Sequence, residues 1–251
     1  MIIDRAAREI IQLVDEDLTL VDICICPRYT YAIVKGSKGT AMGVAYTPHE
    51  ELPYHYWFEE EPKVGNVLDY VSSCNMLHKV IGIAILNAIS QYLIRFKGYS
   101  KNIVFGLDAV NTVDIKREDF VVFVGYIAPL IEKVKCKTKQ IEVLERNPYL
   151  RGYAKPDTLA PRIIPKATIL FITGVTLEND TLDYILSLAV NARVKILVGP
   201  TAQILPQSLK GYIDYIASIM IENIDKAVKV LKLGGGTKAL TKYSVKYIAK
   251  P

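Results

Sequence analysis

The chain reads as an α/β protein in two units, a small α+β domain over residues 1–100 and a domain built on a parallel sheet over 101–251. Three patterns predict this. Phe120 to Asn147 runs strand, tight turn, helix, strand, and its first segment, FVVFV, lacks the alternation of a half-exposed strand, as parallel strands covered on both faces do. The same strand-then-helix rhythm recurs toward the C-terminus. The first hundred residues instead carry short β-rich runs and one long apolar helix.

Asp4 to Val14 places Ala6, Ala7, Ile10, Ile11 and Val14 at helical spacing, which predicts an amphipathic helix. LTLVDICIC, TYAIVKG and TAMGVAYT follow as strands, the last two joined by a Gly-Ser-Lys-Gly turn that predicts a hairpin. PHEELPYHYWFEEEPKVGN has no period and predicts a loop over the surface or across a cleft. Asn75 to Phe96 predicts a long apolar helix that ends at Lys97-Gly98. In the second half the strands fall at 121–124, 141–145, 168–172, 195–199 and 216–221, and the helices near 129–135, 181–190, 204–210 and 224–232. RNPYLRGYAKPDTLAPRIIPKA, with four prolines, predicts a loop or short helical turns.

Composition bounds the function. A chain of 251 residues with 51% hydrophobic content buries a core without staples. No continuous apolar run reaches the roughly 20 residues of a membrane span, and the acids scattered through MIIDRAAREIIQLVDED do not fit a signal peptide, so the expectation is a cytoplasmic protein without membrane contact. The net charge of +5 is spread among acids rather than gathered in a basic stripe, which argues against nucleic acid. Cys24, Cys26, Cys74 and Cys136 show no CxxC spacing, so disulfides are not expected. Cys24 and Cys26, two apart on a strand, face one side, either as small apolar groups or as a thiolate pair for a soft metal.

Chemistry is expected where the strand-to-helix loops of a parallel sheet converge. Gly125 ends the first strand, Tyr126 follows, and Ala128-Pro129 opens a helix whose free N–H groups suit an anionic or nucleotide-like ligand. Glu145, twenty residues after Gly125, stands near the spacing at which dinucleotide folds place an acid on a ribose, but GYIAP has one glycine of the three in GxGxxG. Asn147 lies in the loop after it. Thr173, Gly174, Thr176, Asn179 and Thr181 in TGVTLENDT, and Gly199, Pro200 and Thr201 in the next loop, complete the candidate ligand-binding set. Asp180 with Asp183 resembles a capping box, and Leu233 to Gly236 suits an anion nest or a hinge equally. Asn87, within an apolar helix, needs a partner, either a backbone carbonyl or a ligand. GxSxG, GxxxxGK[ST] and HExxH are absent, and His49, His55 and His78 all lie in the first half.

VGYIAPLIEKVK, VLERNP, ATILFITGVTLENDTLDYIL, ILVGPTAQILPQSL and KLGGG, in that order, resemble the Rossmann-like family called the putative heavy-metal chelation domain. In the first half GVAYT and IGIAILNA look like that family's usual partner, a domain similar to the N-terminal domain of enolase. The resemblance implies a cleft between an enolase N-terminal-like cap and a Rossmann-like base, in a family without a settled activity. None of the four α/β loops carries a cysteine or histidine, so a small anionic ligand or a metal complex contacted by loop amides is favoured over direct capture of a metal ion. The alternatives are an enzyme that uses Glu145, His49 or His55 as proton carrier in the same cleft, and an assembly module, a homo-oligomer included.

Overall fold

The computed structural model describes residues 1–52, 57–58 and 60–251. The first hundred residues hold helix α1 (Ile2–Gln12), strands β1 (Thr19–Cys24), β2 (Tyr29–Gly36) and β3 (Gly39–Tyr46), and helices α2 (Val67–Ser72) and α3 (Met76–Phe96). The strands form an antiparallel sheet in the order 1-2-3. Gly36 pairs with Gly39, so Ser37 and Lys38 make a two-residue hairpin loop.

Helix α3 is surrounded by protein. It has the length and mean hydropathy of a membrane span, yet 94% of its apolar window is buried. Asn75 starts it, its Oδ1 accepting the Leu77 N–H at 2.9 Å. β3 lies so close that a Cβ on Gly43 would meet the Ala88 nitrogen at 2.0 Å and the Ala84 carbonyl oxygen at 2.4 Å, and only glycine fits there. Asn87 donates to the carbonyls of Val44 and Thr201, both at 2.8 Å, and Gln91 to the Gln203 carbonyl at 2.9 Å. The partner of Asn87 is thus main chain, from both halves of the protein. One apolar core takes in Ala6, Ile85 and Leu86 together with Leu170, Leu197 and Ile216 of the second half.

The remainder contains β4 (Ile103–Phe105), α4 (Ala109–Thr112), β5 (Val121–Val124), α5 (Ala128–Lys135), β6 (Ile141–Glu145), β7 (Lys155–Pro156), α6 (Ala160–Ile163), β8 (Ile169–Thr173), α7 (Leu182–Leu188), β9 (Val194–Val198), β10 (Tyr215–Ile221), α8 (Ile224–Lys232), α9 (Thr237–Leu240) and β11 (Ser244–Ala249). Eight strands make one sheet in the order 4-11-10-9-8-5-6-7. It is parallel from β10 to β7 and antiparallel where β11 and β4 add to its edge. β4, β7 and β11 lie outside the strands that pattern predicts: β4 and β7 are three residues or fewer, and β4 and β11 pair with strands remote in sequence. The helix expected at 204–210 is a 3-10 turn, Pro206–Leu209.

Two further expectations need correction. Cys24 and Cys26 are joined by a disulfide. An extended strand would hold them roughly 6.5–7 Å apart, but β1 ends at Cys24 and the contracted chain brings their Cα atoms to 5.2 Å, within bonding range. Asp180 is not a helix cap. It adopts the left-handed conformation, with φ +57°, and pairs with the buried Lys79 ammonium of α3, while Asp183 accepts the Ile2 N–H at 3.1 Å. Asp180 and Asp183 therefore hold the N-terminal helices against the second half instead of closing α7.

Candidate functional site

β5 is where the sheet's order reverses: the chain moves outward through β6 and β7, then returns to β8 on the other side of β5. Loops leaving β5 and β8 diverge, and a crevice opens at their carboxyl ends. A cavity of about 450 Å³ lies there, within the range of small-molecule sites. Its floor comes from the ends of β5, β6, β8 and β9, through Gly125, Glu145, Thr173 and Gly199. Its roof comes from the first half, through Tyr29, Tyr46, Pro48, Glu50 and Glu51. The Arg146 guanidinium meets Glu51 at 2.8 Å and ties roof to floor.

The floor requires a glycine at its centre. Gly125 has φ +100°, which side chains rarely adopt, and a Cβ there would meet the Thr173 Cβ at 2.8 Å. The loops after β5 and β8 can therefore cross in contact.

Of the residues singled out by sequence, Gly125, Tyr126, Ala128, Pro129, Glu145, Asn147, Thr173, Thr176, Asn179, Thr181, Gly199 and Pro200 line this cavity. Gly174 and Thr201 lie behind the wall. Gly174 packs on the backbone of Ala202, and Thr201 Oγ1 accepts the Tyr46 N–H at 3.0 Å. His49 is exposed and hydrogen-bonded to the Pro27 carbonyl, and it does not line the cavity although Pro48 and Glu50 do; His55 lies outside the described residues. Gly234 and Gly235 direct their N–H groups to the last carbonyls of α8, Leu231 and Val230, so they form no open anion nest.

The expected donor-lined floor is corrected in detail. Glu145 turns back on its own loops, Oε2 accepting the Tyr126 N–H at 2.8 Å and Oε1 the Asn147 N–H at 2.9 Å. Two amides aimed at the crevice are thus occupied by a carboxylate of the protein. Thr176 Oγ1 donates to the Thr173 carbonyl at 2.8 Å, and Thr181 Oγ1 to Asn179 Oδ1 at 2.6 Å. Among the described residues, five carboxyl groups border the cavity, Glu50, Glu51, Glu145, Asp157 and Glu178, against one guanidinium, Arg146. The field inside favours positive charge.

Sequence reasoning passed over Glu178. It is fully buried, and among the described residues neither carboxyl oxygen has a hydrogen-bond partner. Burial, with Glu51 and Glu50 adding repulsion, pushes its carboxyl well above the ordinary glutamate value. Tyr29 beside it is pushed up to about 12 by burial and shares a 2.7 Å hydrogen bond with Thr237. Nothing local distinguishes Glu178 from a solvated loop glutamate. The groups that face it from the roof, Tyr46, Glu50 and Glu51, are remote in sequence.

A soft metal ion held by protein atoms needs three or four thiolate, imidazole or carboxylate ligands converging on one point. Among the described residues no three such groups are so placed. Cys24 and Cys26 are bonded to each other, and Cys74 and Cys136 are exposed. The described donors therefore do not come together around a bare metal ion.

Two family models, both described as "Putative heavy-metal chelation", match residues 7–90 and 108–250. An uncharacterized protein of Methanocaldococcus jannaschii is 34% identical over 256 residues, which cover 98% of this chain and 97% of that protein. A crystal structure of a protein of unknown function from Pyrococcus horikoshii aligns over the full length of both chains with a TM-score of 0.90 and 32% identity. Another, from Desulfitobacterium hafniense, shares the fold at TM-score 0.81 and 18% identity, over 98% of this chain and 97% of that one. The chain belongs to the family described as "Putative heavy-metal chelation".

Proposed function

We propose, with that membership as premise, that the protein binds a small organic molecule or a metal complex in the cleft between two units, a Rossmann-like base over 101–251 and an enolase N-terminal-like cap over 1–100. The cavity at the reversal of strand order carries this reading, because residues of both halves converge there and on no catalytic motif. The parallel order 7-6-5-8-9-10 supports the description of the base, and the antiparallel three-stranded sheet packed on α3 that of the cap. The two matched segments, 7–90 and 108–250, fall on the same two units. A heavy metal enters this reading as cargo, already coordinated by its own ligands, because among the described residues the donors do not converge on a bare ion.

Native mass spectrometry of the purified protein, with elemental analysis of the same sample, tests it. An organic mass or intact metal complex bound near one per chain is the expected result. A bare transition metal at that stoichiometry, lost when Cys24 and Cys26 are both replaced by serine, would overturn it in favour of direct chelation.

A catalytic use of the same cleft rests on one observation, the buried Glu178 carboxyl, which is poised to give up a proton. In that case the molecule recovered from wild-type protein differs from the one recovered from Glu178→Gln. The same molecule from both would leave binding alone.

A further inference from the structure

We infer that the ligand's polar end is a cation, an organic ammonium group or a positively charged metal complex, and that Glu178 is the group that receives it. The inference rests on the cleft's being the binding site and adds the ligand's charge and its principal partner.

Three observations converge. Among the described residues the lining carries five carboxyl groups against one guanidinium, and that guanidinium is already paired with Glu51. The Tyr126 and Asn147 amides, placed where an anion would bind, are occupied by Glu145. An incoming anion would have to displace a carboxylate from its own protein. Tyr29, Tyr46 and Tyr126 bring aromatic rings to the cavity wall, and the face of such a ring attracts a cation and offers an anion nothing comparable.

Glu178 then acquires a use. It is fully buried at the edge of the cavity, and among the described residues its carboxyl oxygens are without hydrogen bonds. A buried carboxyl in this position is destabilising unless a partner is added, and the cavity it borders is where a partner enters. The groups facing it from the roof are Glu50, Glu51, Tyr29 and Tyr46, of which the two acids repel its charged form. A cation in the cavity reverses that balance. The carboxyl loses its proton to solvent as the cation binds, leaving a carboxylate–cation pair and one proton in the buffer.

The test is titration calorimetry of the full-length protein near pH 6 with three probes: tetraethylammonium, hexaamminecobalt(III) and inorganic phosphate. Each is run in two buffers of different ionisation enthalpy, so that proton release is read directly. The proteins are wild type, Glu178→Gln and Ala128→Phe, the last adding a ring to the cavity wall. At least one cation is expected to bind wild type with release of up to about one proton, while phosphate does not bind. Glu178→Gln is expected to weaken that cation at least tenfold and abolish proton release, and Ala128→Phe to lose binding.

Cation binding lost in Ala128→Phe but unchanged in Glu178→Gln would overturn the role of Glu178 and leave the cleft standing. Binding unaffected by Ala128→Phe would overturn the cleft itself. Phosphate binding in place of both cations, or no cation binding at all, would overturn the ligand's charge. The melting temperature of each variant is measured alongside, so that a lost fold is not read as a lost site.

Discussion

Replacing Glu178 by glutamine should make the protein more stable, and increasingly so as pH rises. The side chain is fully covered, and its carboxyl is held well above the ordinary value of 4.5. Below about pH 4.5 the folded and unfolded chains both carry a protonated Glu178, and glutamine, similar in size and also neutral, changes little. Above it the unfolded chain ionises while the folded one keeps its proton, so the folded state binds more protons and stability falls with pH. The loss amounts to about 1.4 kcal/mol per pH unit until the folded group itself titrates. For a chain of this length that corresponds to roughly 3–6 °C in melting temperature per unit. Glu178→Gln removes this slope. Thermal unfolding of both proteins from pH 4 to pH 8, without ligand, gives the answer. A difference that is near zero at pH 4 and widens in favour of the variant supports the argument. A difference independent of pH, or a variant less stable at pH 7 than at pH 4 relative to wild type, would refute the buried neutral carboxyl.

Gly43→Ala places a methyl group within van der Waals radii of the main chain of α3 at Ala84 and Ala88, atoms that cannot move without the helix, and should cost about 3 kcal/mol or more in denaturant unfolding. Asn87→Leu leaves the carbonyls of Val44 and Thr201 unpaired in the core and should cost about 2–4 kcal/mol, with a fall in the urea midpoint at constant slope. Glu145→Ala frees the Tyr126 and Asn147 N–H groups, so calorimetry should detect phosphate binding in the variant that wild type lacks.

The order of elements was legible from local pattern. The hydrophobic run at 121–124, the turn at Gly125 and the helix opened by Ala128-Pro129 are set by side-chain period and by the fixed φ of proline, and they stand where sequence predicts them. The loops that line the cavity followed, because a parallel sheet sends all its strand-to-helix loops to one edge. Where pattern was weak the reading erred. β4, β7 and β11 are too short, or too dependent on distant partners, to carry a period, and the capping role that local sequence suggests for Asp180 is overridden by the distant Lys79.

Tertiary structure decided the chemistry inside the cleft. The sequence shows Glu145 beside a loop but not that its two oxygens fold back on the Tyr126 and Asn147 amides; that depends on how β5 and β6 lie together. It shows Glu178 among polar neighbours but not the roof of Tyr29, Tyr46 and Glu51 that removes it from water. The position of a loop is fixed by short-range sterics along the chain, which a sequence displays. The charge state of a carboxyl is fixed by which groups, from anywhere in the chain, exclude solvent around it, and that exists only once the two halves have closed on each other.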